Sequence, residues 1–257
     1  MVNNTINKNL ILFLNGRVGV ETLKYLVDSG DKIWAIFISN QNIKIDDEIK
    51  SISKVYDITV ISDLRKIEDD FFLSELKSNK IDFLISVYWP WLFKQKVLNS
   101  VQNTLNFHPS LLPLNRGWYP HVHNLAFGSK AGVTLHQMDS RIDTGPIWFQ
   151  KEINYSVTDD ALTLRAKLEN EIFKLFKDKW NVIKEASINL KVQNDYDSTY
   201  NSKNFVNQLD LIDLSKNYKG IDLINLLRSR THGDKSFAYF IHNKKKYFIS
   251  IKIEASN

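Results

Sequence analysis

The feature that most constrains the fold is the alternation of short apolar runs with amphipathic segments from Leu10 to Phe107. Leu10 to Leu14 is an apolar run closed by Asn15-Gly16-Arg17-Val18-Gly19, after which Val20 to Val27 shows helical spacing. The pattern then repeats. Ile33 to Ile38 reads as a strand, Asp47 to Val55 as a helix, Thr59 to Ile61 as a short strand and Asp69 to Ser78 as a helix; Phe83 to Val87 and Thr104 to Phe107 follow as strands. Alternation of this kind implies an α/β chain with a parallel sheet covered on both faces, in which ligands collect at the carboxyl ends of the strands.

Further along, Tyr119 to Phe127 reads as a helix, Val133 to Met138 and Ile147 to Ile153 as strands, and Asp159 to Ala186 as a long amphipathic helix with Thr158 as its N-cap. After it the character changes. Lys191 to Asn204 is polar and loop-like, Ile221 to Arg228 has helical spacing, and Phe237 to Ile253 reads as a hairpin turning near Asn243-Lys244. The expected division is therefore residues 1–186 and a small helix-plus-hairpin module at 187–257. With 257 residues, 43% hydrophobic and 25% charged, the chain can bury one substantial core plus such a module.

The opening MVNNTINKNL lacks a basic segment followed by a long apolar run, and no stretch approaches the roughly 18 apolar residues a membrane helix needs, so the expected location is the cytoplasm, away from membranes. Absence of cysteine excludes disulfides and thiolate metal sites. The formal charge of +5 is mild, and from Ala186 onward eleven Lys/Arg stand against seven Asp/Glu. Without a dense basic stripe, that balance does not predict nucleic-acid binding.

The turn at Gly16 and Gly19 lacks the third glycine and the acidic residue of a dinucleotide fingerprint, since the second strand ends in Ile38-Ser39-Asn40. Two readings stay open: a plain tight turn, or an anion site formed by backbone N–H groups and Arg17. All five prolines (Pro90, Pro109, Pro113, Pro120, Pro146) and four of the six tryptophans lie between Trp89 and Trp148, which indicates rigid turns and aromatic walls around a shaped pocket. Inside that window, Asn106 and His108 share one face of a strand while Phe107 faces the core, and Pro109 ends the ladder. His136, on a strand with apolar neighbours, reads as a structural histidine. His121 and His123 lack a third ligand at useful spacing, so no metal is expected.

His108-Pro-Ser-Leu-Leu-Pro113, Arg116-Gly117, Gly132-Val-Thr-Leu-His136, Met138-Asp139 and Ile142-Asp143-Thr-Gly-Pro146 together resemble the signature of the folate-dependent formyltransferases. The resemblance covers roughly residues 8 to 185. It implies a Rossmann-like, mostly parallel sheet of the formyltransferase fold and 10-formyltetrahydrofolate as co-substrate. By position it makes Asn106, His108 and Asp143 the catalytic residues, and places Val87, Tyr88, Leu112, Met138, Asp139 and Asp143 around the folate.

Those residue types suit formyl transfer. The reaction needs a neutral amine, stabilisation of the oxyanion at the formyl carbon, and a proton for the departing nitrogen. Asn106 offers an amide N–H to the oxyanion, His108 exchanges protons near neutral pH, and Asp143 orients the imidazole. His108 serves as general base or as oxyanion donor; the sequence admits either role.

For the acceptor, Arg116-Gly-Trp118-Tyr119-Pro-His121 and a tail containing Arg228, Arg230, Ala238-Tyr239-Phe240 and Lys246-Tyr247-Phe248 look like the nucleotide-linked amino-sugar N-formyltransferases. That resemblance implies a nucleotide-linked deoxyamino sugar, dTDP being the expected carrier, formylated for surface polysaccharide such as lipopolysaccharide O-antigen. Asn15, Arg17, Trp118, Tyr119, Arg228 and Arg230 are the expected contacts to it, and the tail's hairpin is the expected seam of a homodimer. The alternative is a methionyl-tRNA formyltransferase with a shortened C-terminal domain.

Overall fold

A computed structural model describes residues 7–256. Residues 1–6, which carry part of the opening segment used to infer the location, lie outside the described residues. In chain order the first elements are β1 (Asn9–Leu14), α1 (Gly16–Asp28), β2 (Lys32–Ile38), α2 (Ile43–Val55), β3 (Thr59–Ile61), α3 (Asp70–Ser78), β4 (Phe83–Val87), α4 (Gln95–Leu98) and β5 (Asn103–His108). They are followed by β6 (Arg116–Gly117), α5 (Pro120–Phe127), β7 (Ala131–His136), β8 (Ile147–Ile153) and α6 (Ala161–Glu185). The remainder holds β9 (Tyr200–Asn201), α7 (Gly220–Ser229), β10 (Thr231–His232), β11 (Lys235–Ser236), β12 (Tyr239–His242) and β13 (Lys245–Phe248).

Seven strands form one sheet in the order β3-β2-β1-β4-β5-β7-β8. The pairs from β3 through β5 are parallel, as the alternating sequence requires, whereas β7 runs antiparallel to β5. Period-2 alternation gives the sheet two buried faces. Ile11, Phe13, Phe37 and Leu84 pack on one side with Phe72, Leu73 and Leu76 of α3 and Val97 and Leu98 of α4. On the other, Phe83 lies 5.4 Å from the Trp180 ring and Phe107 lies 4.9 Å from that of Phe176, both on α6. Among the described residues no helix is long and apolar enough to cross a membrane.

Side-chain caps set several helix starts. Asn42 caps α2 by accepting from the Ile45 N–H, so this helix begins earlier than the expected Asp47. Asp69 caps α3 through the Phe72 N–H at 2.9 Å. At α6 the cap differs from the expectation. Asp160 accepts from the Thr163 N–H at 2.8 Å while its own N–H donates to Thr163 Oγ1 at 2.9 Å, a reciprocal capping pair. The Thr158 hydroxyl turns instead to Ser156 Oγ.

The described chain divides into two compact units, each made of more than one stretch of sequence. One comprises the residues through His108, Thr134–Phe149 and Ile172–Gln193; the other comprises Pro109–Val133, Gln150–Glu171 and the chain from Asn194 onward. Backbone pairing explains the second grouping. β6 lies parallel to β9, with the Trp118 N–H donating to the Asn201 carbonyl at 2.9 Å. Gly117 is required there, because it has φ +91 and a Cβ would stand 2.4 Å from the Asn201 oxygen. α5 packs on α7 in the same unit. The tail hairpin turns at Asn243 and Lys244, both at positive φ (48 and 63), the backbone of a tight two-residue hairpin turn.

His121 and His123, both on α5, are buried. Burial is the main cause of their depressed pKa values, about 3 for His121, where Arg165, His232, His123 and Arg230 add repulsion, and about 4 for His123. In the unfolded chain each titrates near 6.5. As pH falls below that value the unfolded state takes up protons that the folded state refuses. The stability these neutral rings permit is therefore intact above pH 6.5 and is lost as pH falls towards 4 and then 3. Urea unfolding from pH 7 to 4 is expected to show a decline that is shallower in His121→Asn/His123→Phe; identical slopes in parent and variant would contradict this account.

Candidate active site

The site is built on β5. Phe107 faces α6, so the alternation of the strand sends Asn106 and His108 together to the other face, at its carboxyl end. The two neighbouring strands complete a row across the sheet. Ser86 of β4 and His136 of β7 are both register partners of Asn106.

Hydrogen bonds run along that row. Ser86 Oγ donates to Asn106 Oδ1 at 2.7 Å, and Asn106 Nδ2 donates to His136 Nε2 at 3.0 Å. Because Nε2 accepts, the His136 ring proton sits on Nδ1, where it donates to the Gln137 carbonyl at 2.5 Å. The loop after β7 then returns Asp143 to the same place. Its Oδ1 accepts from Asn106 Nδ2 at 3.4 Å and lies 3.6 Å from His136 Nε2, while its Oδ2 lies 3.5 Å from His108 Nδ1, within ion-pair range. Asp143 holds this position at φ +52. Two residues on, Gly145 passes so close to the Gln137 carbonyl that a Cβ would stand 2.0 Å from its oxygen.

The arrangement presents an amide N–H donor and an imidazole whose Nδ1 faces a carboxylate. An imidazole held this way can exchange protons with a bound group through its other nitrogen, Nε2. Asn106, His108 and Asp143, expected to act together from sequence, are brought together. His136, read there as structural, joins them, and Ser86 does so without having been singled out. No sequence pattern announces this, because it depends on the antiparallel register of β7 against β5.

The remaining expected residues fall into groups. Val87 is fully buried in the sheet, and the next residue, Tyr88, takes φ +52; its carbonyl accepts from Asn15 Nδ2 at 3.0 Å, while Ser39 Oγ donates to Asn15 Oδ1. Met138 packs on the apolar cluster with Trp89, and its N–H donates to Thr104 Oγ1. Asp139 closes a turn through the Arg141 N–H and Thr144 Oγ1. Arg17 forms surface ion pairs with Glu21 and Glu48 at 2.6 and 2.9 Å.

Leu112, Trp118, Tyr119, Arg228 and Arg230 belong to the other unit. There Leu112 is buried, and the Trp118 and Tyr119 rings lie 5.8 Å apart with Lys203 Nζ 4.8 Å from the Trp118 centroid. Arg228 and Arg230 are buried rather than presented to solvent. Arg228 Nη1 donates to the carbonyls of Ser156 and Val157, and Arg230 Nε to Asp210 Oδ1 at 2.6 Å. Among the described residues no group of three or more His, Asp or Glu side chains is arranged to hold a metal ion.

Residues 43–178 match the formyl transferase family, and residues 197–255 match the N-formyltransferase dimerization C-terminal domain. The chain belongs to the formyl transferase family. It is 29% identical over 176 residues to a dTDP-4-amino-4,6-dideoxyglucose formyltransferase of Mycobacterium tuberculosis, covering 68% of this chain and 74% of that one. A 4-N formyltransferase from Francisella tularensis superposes with a TM-score of 0.81 at 25% identity, covering 97% of this chain and 99% of the other. An N-formyltransferase from Helicobacter canadensis, solved with folinic acid and dTDP-3-aminofucose, gives a TM-score of 0.73 at 21% identity over 94% of this chain and 86% of its own.

If the row acts on the transition state, Asn106→Ala and His108→Ala each lower kcat about a hundredfold or more with little change in thermal stability. His136→Phe, which removes the acceptor that orients the Asn106 amide, is expected to lower kcat about tenfold. Steady-state kinetics with melting curves check this, and rates within a few-fold of the parent would return these residues to a packing role.

Proposed function

We propose that this member of the formyl transferase family moves a formyl group from 10-formyltetrahydrofolate to the amine of a nucleotide-linked deoxyamino sugar, with dTDP as carrier, in the synthesis of surface polysaccharide. The observation that carries the reading is the convergence of Asn106, His108 and Asp143 on one face at the end of β5, locked in place by Ser86 and His136. The reach of the likeness along the chain supports it, as does the dTDP-linked substrate in the name of the mycobacterial relative.

The folate supplies an activated formyl carbon. Its pterin has an apolar face and a hydrogen-bonding edge, and the first unit offers matching chemistry in Trp89, Met138 and the polar loop Asp139–Asp143. The rest of the reaction falls to the chain. Asn106 Nδ2 turns the N–H it spends on the long contact with Asp143 Oδ1 towards the oxyanion, a contribution of about 3 to 4 kcal/mol where such donors are removed from other enzymes. His108 Nε2 takes the proton that the amine sheds as its nitrogen bonds to the formyl carbon. It then returns one to the folate nitrogen as the carbon–nitrogen bond to folate breaks. Asp143 stabilises the imidazolium between the two transfers.

In the second unit, Trp118 and Tyr119 supply aromatic surface for a hexose or a base, and Lys203 stands over Trp118 as a cation for the diphosphate. Arg228 and Arg230 act in this reading as internal supports of that unit. Asn15 acts by holding the Tyr88 carbonyl. The match to a dimerization domain and the exposed Ile241, Tyr247 and Phe248 of the hairpin support a homodimer through the tail, and favour a sugar acceptor over methionyl-tRNA.

Incubation of the protein with 10-formyltetrahydrofolate and a panel of nucleotide-linked amino sugars, with methionyl-tRNA alongside, is expected to add one formyl unit to a dTDP-linked amino sugar, read by product mass. Formylation of methionyl-tRNA alone would overturn the acceptor while sparing the reaction. Light scattering is expected to give twice the chain mass for the parent and the single mass for Ile241→Lys/Phe248→Lys; a parent monomer would overturn the dimer.

A further inference from the structure

We propose that Gln193 is a positioning residue for the triad, acting through Asp143. Its side-chain Nε2 spends both hydrogens on the loop that carries the carboxylate, donating to the Asp143 carbonyl at 2.9 Å and to the Gly145 carbonyl at 2.7 Å. One amide therefore straddles Thr144 and ties down the backbone on both sides of it. The segment that carries Gln193 is itself sewn to the loop's far end. Lys191 and Ile147 exchange backbone hydrogen bonds at 2.8 and 3.1 Å.

The clamp answers a specific need. Asp143 occupies the left-handed region at φ +52, a conformation that is unfavourable for a non-glycine residue and persists only when its surroundings impose it. From that conformation its carboxylate reaches His108 Nδ1 and Asn106 Nδ2 together. Relaxation of the loop towards an ordinary backbone would swing the carboxylate off both partners, and misplacement by about 1 Å can cost about a hundredfold in rate. No hydrogen bond between Gln193 and the triad side chains is needed for this, since the amide acts on the backbone beneath them.

The inference rests on the reading of Asp143 as the triad's carboxylate. Gln193→Met, which keeps the volume and removes the N–H donors, and Gln193→Ala are both expected to lower kcat about tenfold or more while KM for the nucleotide sugar stays within about twofold. In an Asp143→Asn background the Met substitution is expected to cause no further loss, because the residue it acts through is already disabled. Hydrogen exchange, which needs no substrate, is expected to accelerate across residues 138–146 in both variants and to stay unchanged across 103–108. If Gln193→Met kept the parent's rate and exchange, or cost Asp143→Asn as much as it cost the parent, the clamp would be overturned. Faster loop exchange in a protein that formylates no sugar would instead fault the proposed acceptor and leave the clamp standing.

Discussion

A single primary amide, that of Asn106, has to face three neighbours at once, and the rest of the site follows from how it does so. The amide has one acceptor oxygen and one nitrogen with two hydrogens. Ser86 takes the oxygen side, and the nitrogen side is then committed to His136 and Asp143. That commitment sets the His136 tautomer, which in turn requires an acceptor for Nδ1; the Gln137 carbonyl provides it. The chain from Gln137 to Ser86 crosses three strands. Ser86 and His136 are fixed by strand register, so the Asn106 amide is oriented by the sheet itself, and Asp143 reaches it from the loop after β7. The antiparallel entry of β7 beside β5 is thus a chemical requirement as much as a topological one.

A second regularity links the fold to the site. Two non-glycine residues of the first unit's site region, Tyr88 at the end of β4 and Asp143 after β7, sit in the left-handed region. Each has its carbonyl held by a side-chain amide from a distant segment: Asn15 Nδ2 donates to Tyr88, and Gln193 Nε2 to Asp143. The same device is used twice. Left-handed backbone turns a residue out of the path a strand would impose, which lets Asp143 face back towards the strand it has just left. The strain is offset by neutral hydrogen bonds, each contributing about 1 kcal/mol, comparable with the conformational cost. Gly145, pressed against the Gln137 carbonyl, closes the same loop from the other side.

The legible part of the sequence was the part written in short periods. Alternation of apolar runs announced β1 to β5 and their parallel order, and the two-residue spacing of Asn106 and His108 announced a shared face. What escaped had its cause elsewhere in the chain. His136 looked like a core histidine because Val133 and Leu135 stand beside it in its strand; only the register with β5 sets it against Asn106. Gln193 lies in a polar stretch with no periodicity. The start of α6 was misplaced because Ser156, Thr158, Asp159 and Asp160 all qualify as caps by residue type, and the Asp160–Thr163 exchange selects one of them. The pairing between residues 115–118 and 199–201, which groups the aromatic loop with the tail in one compact unit, is encoded by no local pattern.

Arg228 and Arg230 show how a buried guanidinium is accommodated. On a helix end rich in apolar residues, two arginines resemble a site for an anionic ligand. Both are buried, and a buried guanidinium must have its donors satisfied inside the protein or carry a large desolvation cost. Arg228 meets that demand with the carbonyls of Ser156 and Val157, its guanidinium near the face of Tyr155, and Arg230 meets it with Asp210 and the ring of Phe237. Desolvation pulls the Arg228 pKa below its ordinary value, as enclosure by protein does for a cation. These donors already have fixed partners, so binding a diphosphate through them would first require breaking the contacts that join the 155–160 turn to α7. A surface cation escapes that cost. Lys203 is exposed and lies over the Trp118 face, where a flexible side chain can approach an anion and keep its stacking, a requirement that the proposed reading of the aromatic loop as an acceptor contact makes of it.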